Sequence, residues 1–260
     1  MGTRYQNSQH QSGLSRKFKH SMHTPHQLHL LSGGAAQGLI SHLQGSFKAQ
    51  HLCSISGTFS AVGQMKSALL AGAPCDVIIL TAPLIAELMA SGHLLPGSAK
   101  NVGVAKTGVA VKSGDKTVDV STPEKLKATL QAANGIYFPD PIKATAGIHV
   151  MKVLKALALD VELAGKLHVH PNGATAMKAM AEAEAIPGGS GLIGCTQITE
   201  IVFTPGVDLV APLPAEFELA TTYTAAICAS STQPDSAAAL IELMASTDTA
   251  ALRLTCGFEA

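Results

Sequence analysis

The sequence predicts an α/β fold of two doubly wound lobes with a ligand cleft between them. From Gln27 onward, short apolar runs alternate with amphipathic stretches of helical period, which is the pattern of successive strand–helix units. The chain has 260 residues, enough for two lobes of about 100–120 residues each. A hydrophobic content of 47% against 14% charged residues excludes a disordered body and implies a sizeable core.

Each element follows from local signals. Residues 28–31 form a short strand ending at Ser32-Gly33-Gly34, and Leu39, Ile40, Leu43 and Phe47 then recur at helical spacing. A second strand over 51–56 gives way at Gly57-Thr58 to a helix through Met65, Leu69 and Leu70, stopped by Gly72-Ala73-Pro74. Residues 76–81 read as a buried strand and 83–91 as a helix closed by Gly92. A strand over 106–112 leaves this lobe. Thr122 then caps a helix that opens on Pro123. Strands at 135–138, 168–170 and 190–193 alternate with helices at 146–157, 174–184 and 196–201. A β-rich segment at 219–229 runs back to the first lobe, and helices at 234–245 and 247–254 complete it. The expected division is lobe I from 28–105 plus about 225–260, and lobe II from 106–224.

Residues 1–27 are unlike the rest: Arg4, Arg16, Lys17 and Lys19, four histidines and no acid. They read as a disordered basic tail. They contain no apolar run of the secretory kind, so the chain as written is expected in the cytoplasm, or in the periplasm if this segment stands in place of a natural signal. The 18 basic and 18 acidic residues balance overall, and the body without the tail has 14 and 18. That argues against nucleic acid as a partner. The scarcity of aromatics, 4%, argues against stacking platforms. No apolar run is long enough for membrane insertion. Cys53, Cys75, Cys195, Cys228 and Cys256 lack regular spacing and read as buried free thiols.

Four strand-to-helix junctions carry small and hydroxyl residues: Ser32-Gly33-Gly34, Ser56-Gly57-Thr58, Lys143 to Gly147, and Cys195-Thr196-Gln197. Each offers backbone N–H groups and a hydroxyl, suited to a carboxylate or other small oxyanion, although each is also an ordinary helix cap. A G-x-G-x-x-G pattern at Gly189 to Gly194 precedes a strand rather than following one, so a dinucleotide site is rejected. His168-x-His170 lacks a third ligand at metal spacing, and no metal or cofactor is expected. No nucleophile-elbow, P-loop or H-E-x-x-H motif occurs. His149 and Glu200, each near one of the anion-binding loops, are candidate proton carriers, with the structural reading of a surface or satisfied buried side chain beside it.

The loop SGGAAQG at 32–38, the block LLAGAPCDVIIL at 69–80, the turn DPIKATAGIH at 140–149, the run PGVDLVAPLP at 205–214 and the closing CGFE at 256–259 occur in an order that resembles the type II periplasmic binding proteins, in the molybdate-binding-like group. The resemblance covers Leu28 to about Glu259. It implies that an oxyanion or small carboxylate is held between the lobes by Ser32, Gly33 and Gly34, by Ser56, Gly57 and Thr58, and by Thr145, Ala146, Thr196 and Gln197. The first loop and the run at 205–214 look more like a branch of this group that includes aconitate isomerase. That branch implies allylic proton transfer between cis- and trans-aconitate, with His149, Lys143 or Glu200 as the base. The alternative implication is a non-catalytic receptor that delivers its ligand to an ABC permease.

Overall fold

The computed structural model describes residues 1–2, 26–184 and 189–259; the expected tail lies almost wholly outside them. Nine described strands form one sheet, eight of them in the order β2-β1-β3-β9-β4-β7-β5-β6, with β8 off this path and paired to β4. In the first lobe, β1 (His26–Gly33), β2 (Cys53–Ser60) and β3 (Val77–Thr81) are parallel, with β9 (Ala220–Ile227) antiparallel beside β3. In the second lobe, β5 (Gly135–Pro139) lies parallel to β6 (Leu167–His170) and β7 (Leu192–Gln197), while β8 (Val207–Pro212) flanks β4.

The long strand β4 (Lys100–Lys112) belongs to both lobes. Its first half pairs with β9 and its second half with β7 and β8. The apolar cores divide accordingly. The first lobe's contains Leu28, Phe47, Val77, Ile79, Tyr223 and Phe258; the second lobe has one of Val109, Leu126, Ile136, Phe138, Leu154 and Ile193 and a smaller one of Met177, Met180, Leu192 and Ile201.

Helices cover the sheet: α1 (Gln37–His51), α2 (Val62–Leu70), α3 (Ala82–Ala90), α8 (Pro234–Ala245) and α9 (Ala250–Thr255) on the first lobe. The second carries α4 (Pro123–Ala132), α5 (Thr145–Ala156), α6 (Gly173–Glu182) and α7 (Ile198–Phe203). Thr122 Oγ1 accepts from Lys125 N–H at 3.3 Å, so the expected cap of α4 is made. No described helix is long and apolar enough to cross a membrane.

Three sequence expectations need correction. The second strand does not stop at Ser56 but runs to Ser60. Gly57 is an interior strand residue, kept free of a side chain because a Cβ there would lie 2.6 Å from the Phe59 ring. The strand expected from Lys106 starts at Lys100, because its first half is the pairing partner of β9. The helix expected from Thr196 begins at Ile198. Thr196 and Gln197 end β7, a strand buried along its whole length between β4 and β5. The strand β8, not anticipated as such, forms from the Pro205–Pro214 run.

Candidate functional site

Ligands in open α/β sheets bind beyond the carboxyl ends of the strands, and here those ends from both lobes meet. Gly34 follows β1, Ser60 to Val62 join β2 to α2, and Pro139, Ala144, Thr145 and Ala146 come from the β5–α5 turn. Asn172 and Gly173 open α6, Gln197 ends β7, Glu200 lies on α7, and Tyr223 comes from β9. The enclosed volume is about 20 Å³, room for about one water. Across the mouth, the Gly63 N–H donates to the Lys143 carbonyl at 3.2 Å. The lobes are closed on one another. A second cavity of about 380 Å³ adjoins this contact, lined by Val62, Gly63, Lys143, Thr145 and Ile148 among others.

Glu200 is the carboxylate that lines the cleft. Its carboxylate is buried, and its Oε2 accepts from Thr196 Oγ1 at 2.6 Å. Backbone N–H groups of Ala174, Gly173 and Gln197 also point to it. Asn172 presents the α6 N-terminus by capping it: Asn172 Oδ1 accepts from the Thr175 N–H and from Thr175 Oγ1, both at 2.9 Å. The fit is close. A Cβ on Gly173 would fall 2.0 Å from Glu200 Oε2 and from Thr196 Oγ1, and one on Gly34 would fall 2.1 Å from Glu200 Oε1.

Burying an ionised carboxylate costs several kcal/mol, whereas each hydrogen bond to a charged group returns about 1.5–3 kcal/mol. Desolvation is the larger influence here, and the Glu200 pKa is raised above the ordinary carboxylate value despite its four donors. Tyr223 shares the site; burial, and after it the Glu200 charge, raises its phenol pKa. Its ring is set edge-on to Phe258 with centroids 6.2 Å apart. The side-chain amide of Gln197, oriented to satisfy its neighbours, donates to the Ala105 and Lys106 carbonyls at 3.1 and 3.2 Å, tying β7 to the crossing strand.

The expected site residues are distributed unevenly around the cleft. Gly34, Thr145, Ala146, Gln197 and Glu200 line the cleft, and Thr196 hydrogen-bonds to Glu200 from beneath it. Ser32 is buried and its hydroxyl donates to the Gly33 carbonyl at 2.8 Å, while Gly33 packs beneath Val62 and Tyr223. Ser56, Gly57 and Thr58 are exposed on the edge strand β2, so Ser60 is the hydroxyl that reaches the cleft at that junction. Ser60 Oγ donates to Gln64 Oε1 at 2.7 Å. His149 Nε2 lies 2.7 Å from the Phe217 carbonyl, away from the cleft, and the Lys143 side chain is exposed at the mouth.

Ser60, Asn172, Gly173 and Tyr223 were not anticipated. Asn172 before a helical run is a cap signal legible in the sequence; Tyr223 carries no local signal, since only the sheet order β1-β3-β9 brings it over Gly33. Elsewhere, the His168 and His170 rings stack against Tyr137, at 4.4 and 5.8 Å between centroids. The glycine-rich segment before β7 is held by Asp115, which accepts from the Ser190 N–H at 3.0 Å and from its hydroxyl. That is a structural anchor.

An aconitate isomerase from Pseudomonas sp is 26% identical over 178 residues, 68% of this chain and 64% of the relative, so the chain spans a little under two thirds of that protein's length. Among solved structures, the Azotobacter vinelandii periplasmic molybdate-binding protein superposes with a TM-score of 0.74 at 19% identity, covering 90% of this chain and 99% of the other. The sulfate-binding protein of Mycobacterium tuberculosis gives 0.65 at 16% identity, covering 90% and 86%. At such identities these two likenesses establish the type II periplasmic-binding fold. The family model described as bacterial extracellular solute-binding protein matches residues 28–259, and the chain belongs to that family.

Proposed function

We propose that the protein is an isomerase of the aconitate class, with Glu200 as the single group that carries the proton. The observation that carries this reading is a buried carboxylate with a raised pKa in the interlobe cleft, occupying the donors at the start of α6. A receptor for a fully ionised oxyanion gains from neutral donors and loses by like-charge repulsion from an acid among them. A proton-transfer enzyme needs such a group, with its pKa moved toward the working pH.

The step is an allylic transfer. Glu200 removes a proton from the methylene carbon α to one carboxylate as the double bond shifts across the central carbon. The same acid then returns the proton to the former vinyl carbon. Charge that develops on the substrate carboxylate is met by N–H groups and hydroxyls, for which Thr145 and the N–H groups of Gly34 and Ala146 are the donors in reach of the cleft. The cleft must open to admit a tricarboxylate. The adjoining cavity at Lys143 gives the outer carboxylates a cation and room that the inner cleft lacks. Lobe closure then excludes water from the reacting carbons.

Family membership supports a second reading: a solute receptor of the ABC-transporter kind that binds a small anion and releases it unchanged. Turnover separates the two. Proton NMR of the purified protein with cis-aconitate is expected to show the vinyl signal of the trans isomer growing in, and to show none with Glu200→Gln. Unchanged cis-aconitate, together with thermal stabilisation by molybdate or sulfate, would leave the receptor.

A further inference from the structure

The strands β3 and β9 run antiparallel with Val77 opposite Ile227. The pairing continues one step past both strands, where the Cys228 N–H donates to the Asp76 carbonyl at 2.9 Å. Cys228 therefore stands diagonally across from Cys75. Cys75 Sγ donates to the Val77 carbonyl at 3.2 Å, and Cys75 is the chief neighbour that raises the pKa of the Cys228 thiol. Cys75 stands one step from the residue opposed to Cys228, which puts their Cα atoms about 5.5–6.5 Å apart, within the span of about 4.4–6.8 Å that a disulfide bridges, and it precedes β3 at the bend of Asp76, outside the strand's regular alternation of faces.

The surroundings hold both positions. The Asp76 carboxylate accepts from the His29 N–H at 2.8 Å and from Ser231 Oγ at 2.7 Å, and Cys228 bridges to Leu94 on its other side. The remaining cysteines are placed differently. Cys53 meets Ser236, Cys195 is packed in the second lobe's core, and Cys256 Sγ lies 3.9 Å from His42. All five are buried thiols in the structure.

We propose that Cys75 and Cys228 are a disulfide-forming pair, bridged when the chain folds in the presence of an external disulfide of the glutathione or oxidoreductase kind. One thiolate attacks the external disulfide, forming a mixed disulfide and releasing one thiol. The second thiolate attacks the protein-side sulfur and releases the other. The pair loses two electrons and two protons, and the external disulfide leaves as two thiols. In the folded protein both sulfurs are shielded, Cys75 being 6% exposed and Cys228 0%. Exchange therefore belongs to folding, before lobe I closes over them. The bridge ties the start of β3 to the end of β9, across a loop that contains the whole of lobe II. It holds the base of the crossing strand independently of lobe movement.

The test is to refold the protein in a mixture of reduced and oxidised glutathione, alkylate free thiols in denaturant, and map the peptides by mass. The expected map has Cys53, Cys195 and Cys256 alkylated and a Cys75–Cys228 linked peptide two hydrogen atoms lighter than its parts. Refolding with excess dithiothreitol should give five alkylated cysteines and a melting temperature lower by about 5–10 °C. Cys256→Ser should keep the bridge, and Cys228→Ser should leave Cys75 alkylated. Five alkylated cysteines in the oxidised sample, or a bridge joining any other pair, would overturn the proposal. The wild-type map decides it even where Cys228→Ser fails to fold.

Discussion

At Glu200, desolvation and hydrogen bonding act in opposite directions, and the balance can be read in two ways. Its pKa is raised in the folded protein, chiefly by burial. Between the ordinary value of 4.5 and the raised one, the folded state holds a proton that the unfolded state has lost. The native state's advantage at this group is therefore complete below the unfolded pKa and is lost as pH rises through the folded one. Chemical denaturation across a pH series is expected to show wild type losing stability relative to Glu200→Gln as pH rises through that window. Glu200→Gln should also lower kcat for aconitate isomerisation by roughly 10²–10⁴-fold and remove the rise of rate with pH on the acid side of the profile. Thr107 is the opposite case: its buried hydroxyl has no hydrogen-bond partner among the described residues. Thr107→Val is expected to raise unfolding stability by about 1 kcal/mol, measured by denaturant titration.

Among the elements, the start of α6 is the one most tightly specified by the site. Its first residue must lack a side chain, because a Cβ on Gly173 would displace both Glu200 and Thr196. Gly173→Ala should cost about 1–3 kcal/mol in thermal or denaturant unfolding, and it should lower isomerase turnover more than tenfold by moving the carboxylate. Much of this level was legible in the sequence. Thr122-Pro123 marked α4, Gly72-Ala73-Pro74 marked the end of α2, and the all-apolar run at β3 marked a buried strand. What misled was Gly57, read as a strand end. Glycine ends a strand or sits inside one according to what lies over it, and here the Phe59 ring does. That misreading shifted the candidate hydroxyls from Ser60 to Ser56 and Thr58.

For the whole molecule the question is how two lobes share one site. The N–H of Gly63 in the first lobe and the carbonyl of Lys143 in the second meet at the mouth, and a Cβ on Gly63 would lie 3.1 Å from that carbonyl. Gly63→Val is expected to obstruct closure. Isothermal titration should show weaker ligand binding by several-fold, while the melting temperature of the ligand-free protein changes little. Small-angle scattering should show the radius of gyration of wild type falling on ligand addition, with a smaller fall in Gly63→Val. The sequence by itself determined the α/β class, the order of most elements, and Glu200 and Thr145 as candidates, because periodicity, caps and punctuation act over a few residues. Only the tertiary structure decided which candidates meet. Tyr223 reaches the cleft because β9 lies between β3 and β4, and Glu200 does because α7 faces the start of α6. His149 turns instead to the Phe217 carbonyl. Such juxtapositions arise from pairing between segments far apart in the chain, and no local pattern encodes which distant backbone will lie alongside.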